Sequence, residues 1–338
     1  MRSPVFIIGT ERSGSNLLRL ILDAHPGIVV PHPPHILRYF GGLEGRYGEL
    51  ADDPRFAVLV ADVLALVAVH IHPWPWIPAA PEVIRRARQR SLFGVYVAIH
   101  EALADHVGKP RWGCKSTFMV DHVAEVRASF PDARFLWLYR DPRDVAASSR
   151  ESVFSAFAPA FSARLWVKQQ EKALAAEAGG GVLRVPYEAL VADPEAVVRG
   201  ICAFLDEPFE PGMLRWFDRE EAGRSASLSE SWKNTAAPMQ KDRLARYRRD
   251  LSPEEVATVE EIAAPLMKTL GYGLDCPPRA PLVGAAGWWR EWRWRLLDDW
   301  LWLNVEIRSA RRDRNVGRRR ARWWTMQKIR WRLVFRGR

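Results

Sequence analysis

Cysteine is scarce in this chain of 338 residues, and the three that it has stand far apart. Cys114, Cys202 and Cys276 lack the short mutual spacings of a zinc site, and three scattered thiols form no disulfide framework. These spacings argue against a small disulfide-bonded secreted domain, and we expect the protein to work in a reducing compartment.

Long hydrophobic runs are missing as well. The longest, residues 56–69, is too short to cross a bilayer and contains Asp62, so it predicts a buried helix. Met1 and Arg2 lead directly into an apolar strand, without the hydrophobic segment of a signal peptide. These features predict a cytoplasmic location. Peripheral attachment to the inner face of the cell membrane is an alternative that the C-terminal segment raises.

Basic residues are not in excess over most of the chain, although the formal net charge is +10. From Trp288 to the end there are sixteen Lys and Arg against five Asp and Glu, and nine of the sixteen tryptophans lie in the same stretch. The rest of the chain is close to neutral. We therefore predict a domain at 1–275, a Pro/Gly/Ala linker at 276–287 and a Trp- and Arg-rich amphipathic helical tail at 288–338.

The clearest motif is a glycine-bracketed loop near the N-terminus. An apolar strand ends at Gly9, and Gly14 closes the loop before leucines at helical spacing. This arrangement directs backbone N–H groups at an anion. A nucleotide triphosphatase would carry Lys and then Ser or Thr where this chain has Ser15 and Asn16, and the basic residue lies earlier, at Arg12. The motif predicts phosphate binding and argues against an ATP-dependent kinase.

A second cation stands at the end of another predicted strand. Arg140 directly follows the apolar run 134–139, and a helix that carries Ser148 is predicted to begin two residues later. The cation and the hydroxyl thus come at the carboxyl end of a strand, the side on which open α/β sheets bind ligands. The alternative for Arg140 is a structural ion pair with Asp144. For Arg143 we expect a solvated position.

Two histidines follow a short strand in a loop that three prolines stiffen. An imidazole with its ordinary pKa near ~6.5 is a competent general base, worth roughly 10²–10⁴ in rate, so His32 and His35 are catalytic candidates. A second pair, His70 and His72, has no Cys or carboxylate partner at a useful spacing, so we expect no metal site.

Two segments are predicted to cover the site. Residues 74–76, in which a proline separates two tryptophans, are interpreted as an aromatic lid over an acceptor pocket. Residues 220–240 are polar, Ser-rich and poorly periodic, which predicts a loop. Elsewhere, the pattern at 82–107 predicts one helix, and a capping box at Ser252 predicts a helix that runs to Gly271.

Four segments in this order resemble the sulfotransferases that use 3′-phosphoadenosine 5′-phosphosulfate (PAPS). They are the loop 12–16, Arg140 with Ser148, the region 187–205 and the run 251–272, which together span about residues 4–275. The resemblance implies an α/β, P-loop-like fold, with a central parallel sheet flanked by helices and a C-terminal helical, basic and Trp-rich extension. It also implies transfer of the PAPS sulfuryl group to an acceptor hydroxyl, in line and without metal.

The resemblance further implies roles for individual residues. Arg12 would hold the leaving phosphate, with further donors from Ser13, Gly14, Ser15 and Asn16. Arg140 and Ser148 would bind the 3′-phosphate, and Lys115 would face the sulfuryl group. Ser229 or Ser231, with Lys233, would add donors from a late loop.

The general base is where the chain departs from that family. Related bacterial and tyrosyl enzymes carry a Glu near positions 32–33, whereas this chain has His32 and Pro33. His35 is slightly favoured over His32 as the base, because the family often has a His there. The departure leaves open an altered acceptor, or an inactive scaffold that acts as a membrane-associated binding protein. A small molecule, glycan, lipid, phenol or peptide tyrosine remains possible as the hydroxyl acceptor.

The tail has the pattern of an amphipathic helix. Six apolar residues recur at steps of three and four: Trp289, Trp292, Leu296, Trp300, Leu303 and Ile307. Trp beside dense Arg, as at 311–322, is typical of a helix that lies on an anionic membrane, which is the favoured partner. The alternatives are packing of this face on the enzyme domain or on a second subunit, and, least favoured, nucleic-acid binding. The sequence predicts no oligomeric state.

Overall fold

The central element is a parallel β-sheet of five strands. The computed structural model describes residues 1–152, 157–277, 284–313 and 315–335. The strands run in the order β2-β3-β1-β4-β5, and their pairings are parallel. Their bounds are β1 Val5–Gly9, β2 Ile28–Val29, β3 Arg111–Lys115, β4 Arg134–Tyr139 and β5 Val182–Pro186.

Helices surround this sheet. The α-helices are α1 Ser15–Asp23, α2 Ile36–Phe40, α3 Asp53–Ala68, α4 Ala80–Arg86, α5 Leu92–His106, α6 Val123–Ser129, α7 Pro142–Arg150, α8 Pro159–Ala178, α9 Tyr187–Ala192, α10 Pro194–Phe204, α11 Glu220–Leu228, α12 Tyr247–Asp250, α13 Pro253–Thr269, α14 Gly284–Arg312 and α15 Val316–Phe335. Short 3₁₀ helices lie at Gly41–Tyr47, Met119–His122, Pro211–Asp218, Glu230–Ala236 and Lys241–Arg243.

Strand β1 is the middle of the sheet. All five of its residues are buried, as its apolar run predicts. It pairs with β3 on one side and β4 on the other, so that Ile7 lies opposite Lys115 and Gly9 opposite Leu138. Because parallel strands end at the same edge, the segments that follow β1, β3 and β4 converge there.

Both faces of the sheet are covered by helices. Side chains alternate along β1: Val5 and Ile7 pack with α1, α9 and α10, while Phe6 and Ile8 pack with α3, α5 and α8. A parallel sheet buried on both faces is the α/β architecture that the resemblance implies, and that prediction is confirmed.

The prediction of a loop at 220–240 is wrong. This segment contains α11 and the 3₁₀ helix Glu230–Ala236. Helix α11 buries the small residues Ala222 and Ser225, so it lacks the large apolar side chains whose spacing indicates a helix in a sequence.

The single helix predicted at 82–107 is two helices. A new helix begins after Ser91, whose side chain accepts a hydrogen bond from Gly94 N and caps α5. Strand β3 gives no clear signal in the sequence, because Arg111, Gly113 and Lys115 interrupt its apolar pattern. The capping box at Ser252 is present, and that prediction is confirmed.

The C-terminal segment forms two helices. Helix α14 begins at Gly284, inside the predicted linker, of which residues 278–283 lie outside the described residues. Each helix buries three apolar side chains against the domain: Trp294, Leu301 and Val305 in α14, and Met326, Ile329 and Leu333 in α15. Among the described helices, none has both the length and the hydrophobicity that a membrane crossing needs.

Candidate active site

The loop after β1 requires glycine at both ends. Gly9 has a φ of +141°, and a Cβ there would collide with the carbonyl oxygen of Leu138 on β4. Gly14 has a φ of +91°, and a Cβ there would lie 2.5 Å from the ring of Tyr187. Arg12 also adopts a left-handed backbone conformation, with a φ of 69°. The chain therefore makes a tight turn directly ahead of α1.

This turn is rich in donors that have no acceptor in the described part of the protein. Gly14 is the N-cap of α1, and no side chain in the described ranges caps that helix, so its first amides remain available. The Ser13 hydroxyl and the Asn16 amide nitrogen are buried and have no hydrogen-bond partner among the described residues. Asn16 Oδ1 accepts from Arg19 Nε at 2.8 Å, which holds the amide in place. Such a set of donors fits an anion.

Arg140 connects the segment that follows β4 to this turn. Its Nη1 donates to the carbonyl oxygen of Arg12 at 3.3 Å, and its guanidinium stacks on the ring of Tyr187, 4.5 Å from the centroid. Its buried Nε has no partner within the described part of the chain. Arg12 Nε in turn donates to Ser148 Oγ at 3.1 Å. The two predicted phosphate sites are therefore adjacent.

The structural ion pair considered for Arg140 is also present. Asp144 Oδ2 lies 3.3 Å from Arg140 Nη2, and the same carboxylate accepts the backbone N–H groups of Ala245 and Tyr247. The Arg243 carbonyl oxygen accepts from the same Nη2 at 2.5 Å. Asp144 thus orients Arg140 and anchors the segment after the 3₁₀ helices, while the Nε of Arg140 still faces no protein acceptor among the described residues.

Positive charge is concentrated around the turn. Burial lowers the pKa of Arg12, nearby Glu11 opposes that effect, and repulsion from Arg140 and Arg246 adds to it. Lys115 ends the neighbouring strand β3, and burial lowers its pKa to about 8, with Arg19 the next contributor. Burial and mutual repulsion destabilise the charged forms of these cations, and a bound anion would stabilise them.

His35 has a fixed orientation at the edge of this cluster. It is the N-cap of α2, with a left-handed φ of 54°, and its Nδ1 lies 3.0 Å from Ser116 Oγ. Its ring meets Phe118 edge-on at 5.4 Å. Burial, followed by repulsion from Lys115, holds the pKa of His35 well below its ordinary value. The imidazole is therefore neutral across the physiological range.

His32 lies deeper, in a stack of rings. It is parallel to His72 at 5.1 Å and tilted against Trp232 at 4.6 Å. Both of its ring nitrogens are buried without a hydrogen-bond partner among the residues that the structure describes. Burial, and then Lys115, lowers the pKa of His32 well below its ordinary value.

The predicted aromatic lid is instead a wall of the site. Trp74 is buried and donates from Nε1 to the His32 carbonyl oxygen at 2.8 Å, while Trp76 stacks on His106. A cavity of about 150 Å³ is bounded by this wall, His32 and His72. In the described ranges no group of His, Cys, Asp and Glu side chains is arranged to hold a metal ion.

The late segment approaches the same histidines. Ser229 is buried at the C-terminal end of α11, and Trp232 contacts the His32 ring. Lys233 is exposed in the 3₁₀ helix Glu230–Ala236, and the side chain of Ser231 lies outside the described residues. The roles of Ser229 and Lys233 remain predictions.

One central residue gave no signal in the sequence. Arg19 lies on α1 among leucines, yet it is fully buried and donates to Asn16, the Val30 carbonyl oxygen and Ser225. It pairs with Glu221 of α11 at 3.0 Å. Arg19 thus connects the glycine-bracketed turn, the strand before the histidines and α11.

The prediction of a solvated Arg143 is wrong. The side chain is buried under α13, where it pairs with Asp141 at 2.7 Å and Glu260 at 2.6 Å. Its guanidinium also stacks on Tyr247, so its role is to hold α7 against the rest of the domain.

Comparison with known proteins agrees with this geometry. The profile of the sulfotransferase family matches residues 4–211. The chain is 25% identical over 291 residues to Protein-tyrosine sulfotransferase A of Caenorhabditis elegans, which covers 81% of this chain and 68% of that protein. It is 24% identical over 286 residues to Protein-tyrosine sulfotransferase 1 of Danio rerio, covering 81% and 73%.

Solved structures share the fold. The sulfotransferase domain from the curacin biosynthetic pathway superposes with a TM-score of 0.57 at 20% identity, covering 81% of this chain and 99% of that one. The sulfotransferase domain of the Synechococcus olefin synthase gives a TM-score of 0.56 at 21% identity, covering 82% and 98%. With the family profile matched over residues 4–211, which is most of its length, this chain belongs to the sulfotransferase family.

Proposed function

We propose that this protein transfers the sulfuryl group of PAPS to an acceptor hydroxyl, in line and without a metal ion. The observation that carries the proposal is the link between two anion-binding segments, in which Arg140 donates to the Arg12 carbonyl oxygen and Arg12 donates to Ser148. A nucleotide with charged groups at both its 5′ and 3′ positions suits a paired site of this kind, whereas ATP has no 3′-phosphate.

The unpartnered donors fit the two ends of such a nucleotide. The Ser13 hydroxyl, the Asn16 amide and the first amides of α1 would hold the 5′-phosphosulfate. Arg140 Nε and Ser148 would bind the 3′-phosphate. PAPS supplies an activated sulfuryl group when it is bound.

Charge placement is the main catalytic contribution that we infer for the chain. Sulfuryl transfer, like phosphoryl transfer, is expected to pass through a loose transition state, which leaves the protein mainly positioning and electrostatic work. Arg12 would stabilise negative charge on the leaving phosphate. Lys115, with its pKa lowered to about 8, would be mostly protonated at neutral pH and would stabilise the sulfuryl oxygens.

We assign the general base to His35 and an acceptor-binding role to His32. Ser116 fixes one ring nitrogen of His35, which orients the other to accept a proton. Since its pKa is held well below the ordinary value, His35 has a free lone pair at neutral pH. His32 lines the cavity with both nitrogens unpartnered among the described residues, so it would bind a polar group of the acceptor.

A phenolic hydroxyl is the acceptor that we favour. The cavity beside His32 and Trp74, about 150 Å³ in volume, is lined both by apolar groups and by charged side chains such as Arg19, Lys109 and Glu221, so it offers a phenol an aromatic wall and polar partners. Two relatives are named as protein-tyrosine sulfotransferases, so a tyrosine peptide and simple phenols are the first acceptors to test.

Two measurements test the proposal. In calorimetry, adenosine 3′,5′-bisphosphate should bind roughly tenfold or more tightly than AMP, because the 3′-phosphate engages Arg140 and Ser148. Equal affinities would refute the paired site. Labelled PAPS with tyrosine peptides, phenols, sugars and lipids then tests turnover. Tight nucleotide binding without transfer to any of these acceptors would favour the inactive scaffold instead.

A further inference from the structure

Two helices outside the proposed site expose large aromatic side chains. On α14, the residues that the periodicity groups together form what we call the tryptophan stripe: Trp289, Trp292, Leu296, Trp300, Leu303 and Ile307. Each of the six is between 44% and 57% exposed. Exposed apolar surface of this extent marks an interaction site in a folded protein.

The tryptophan stripe is not the face by which α14 is attached. That helix packs on the start of α8 through Trp294, Leu301 and Val305, each 3% exposed. Asp298 accepts the backbone N–H of Ala158 at 2.8 Å, and Arg290 pairs with Glu261. At 3.6 residues per turn, the stripe lies about half a turn away from these contacts. Packing of this face on the chain's own domain, considered from the sequence, is therefore wrong for α14.

Helix α15 repeats the arrangement. It buries Met326, Ile329 and Leu333 beside α3, and it exposes a second set of aromatic side chains: Trp323, Trp324, Trp331 and Phe335. Exposed basic residues stand among them: Arg320, Lys328 and Arg330. Each helix therefore has one apolar face that packs on the domain and a second apolar face that is exposed.

Charge indicates what covers these faces. The segment from Trp288 onward holds sixteen basic against five acidic residues. The domain engages two of those acids, Glu291 and Asp298, and also arginines of the segment, among them Arg290, Arg293 and Arg332, so basic residues stay in large excess. Tryptophan prefers the boundary between lipid headgroups and acyl chains, and arginine pairs with lipid phosphates.

We propose that the tryptophan stripe and the exposed aromatic face of α15 dock the folded protein onto an anionic lipid bilayer. The helices lie on the surface, since none in the described part of the chain has the character of a membrane span. A bilayer accepts two separate aromatic faces without the shape complementarity that a protein partner demands. The proposal stands independently of the catalytic assignments.

Deleting the tail is not a suitable test of docking. Arg318 donates to the His70 carbonyl oxygen at 3.3 Å, and Asn315 donates to the Leu228 carbonyl oxygen at 2.8 Å. Truncation would thus disturb the segments next to the histidine cluster and expose the core that Met326 and Leu333 cover. Substitutions confined to the exposed faces avoid both effects.

The experiment is sedimentation of the full chain with phosphatidylcholine vesicles, with and without phosphatidylglycerol. Binding should require phosphatidylglycerol and weaken with salt. Trp292→Ser/Trp300→Ser/Leu303→Ser should lower the partition coefficient roughly tenfold or more. Leu274→Ser, at an exposed apolar residue outside both helices, should leave it unchanged.

Folding is checked separately from docking. Each variant should keep the thermal unfolding curve and the adenosine 3′,5′-bisphosphate affinity of the parent. Trp324→Ser/Trp331→Ser supplies a second, independent test on α15, with the same expected loss. Equal vesicle binding by parent and both sets of variants would overturn the proposal. The proposal would also be overturned if the parent did not bind anionic vesicles but formed a dimer in light scattering and the stripe variant stayed monomeric.

Discussion

Replacing Lys115 tests the proposed site most directly, because the residue should aid catalysis while it destabilises the fold. Burial lowers the pKa of Lys115 from 10.5 to about 8. Below about pH 8 both the folded and the unfolded chain carry this proton, and the buried charge costs the folded state up to about 3 kcal/mol. That cost disappears as the pH rises from about 8 toward 10.5, so Lys115 makes stability increase with pH over that range.

Two substitutions separate charge from burial. Lys115→Met should raise the free energy of unfolding at neutral pH by up to about 3 kcal/mol and remove the rise in stability above about pH 8. It should also lower kcat by roughly 10²–10³, as loss of a transition-state donor does. Lys115→Arg keeps the cation at all working pH values.

The assay is kcat/KM with PAPS against pH, together with urea unfolding of the same proteins. In the parent, activity should fall about tenfold between roughly pH 7 and pH 9, as Lys115 loses its proton. Lys115→Arg should lose that alkaline decline. A Lys115→Met protein that is less stable than the parent yet fully active would refute the reasoning, and so would an unchanged alkaline decline in Lys115→Arg.

Other predictions concern the turn, the paired site and the base. Gly14→Ala should abolish nucleotide binding in calorimetry, because φ is +91° and the new Cβ meets Tyr187, whereas Gly42→Ala, with no atom of the described structure within 4 Å of its Cβ, should bind normally. Ser148→Ala should weaken adenosine 3′,5′-bisphosphate roughly tenfold and leave AMP unaffected, and an equal loss for both nucleotides would contradict a 3′-phosphate contact. His35→Asn should lower kcat by roughly 10²–10⁴ at unchanged bisphosphate affinity. Retention of full activity would exclude His35 as the base.

The sheet and the glycine-bracketed turn could be predicted because their signals are local. Strand β4 and the glycine-bracketed loop stand out as an apolar run and a spacing, and neither depends on what packs against it. Arg19 could not be predicted, since a buried arginine on a leucine-rich helix is defined by partners such as Glu221 and Ser225, which lie 202 and 206 positions further along the chain.

Contacts between residues distant in the sequence also decide how the tail packs. In α14 both the tryptophan stripe and the face with Trp294 and Leu301 are apolar, so periodicity alone cannot tell which of them meets the domain. The structure decides it through contacts with α8, residues more than a hundred positions earlier. Helix α11 poses the opposite difficulty: its buried face is made of small residues, so no face of large apolar side chains indicates a helix.

A histidine in place of the glutamate of related enzymes suits the general base that we propose. Burial lowers the pKa of both histidines first, and nearby cations add to it: Lys115 and Arg19 for His32, and Lys115 and Arg38 for His35. A carboxylate in such a field would stay ionised, and an imidazole stays neutral, so either group keeps its lone pair free at neutral pH. The imidazole does so without neutralising the charge that attracts the nucleotide. The proposed enzyme should therefore show no acid limb until well below the ordinary histidine range, and its pH dependence should be set by Lys115 instead.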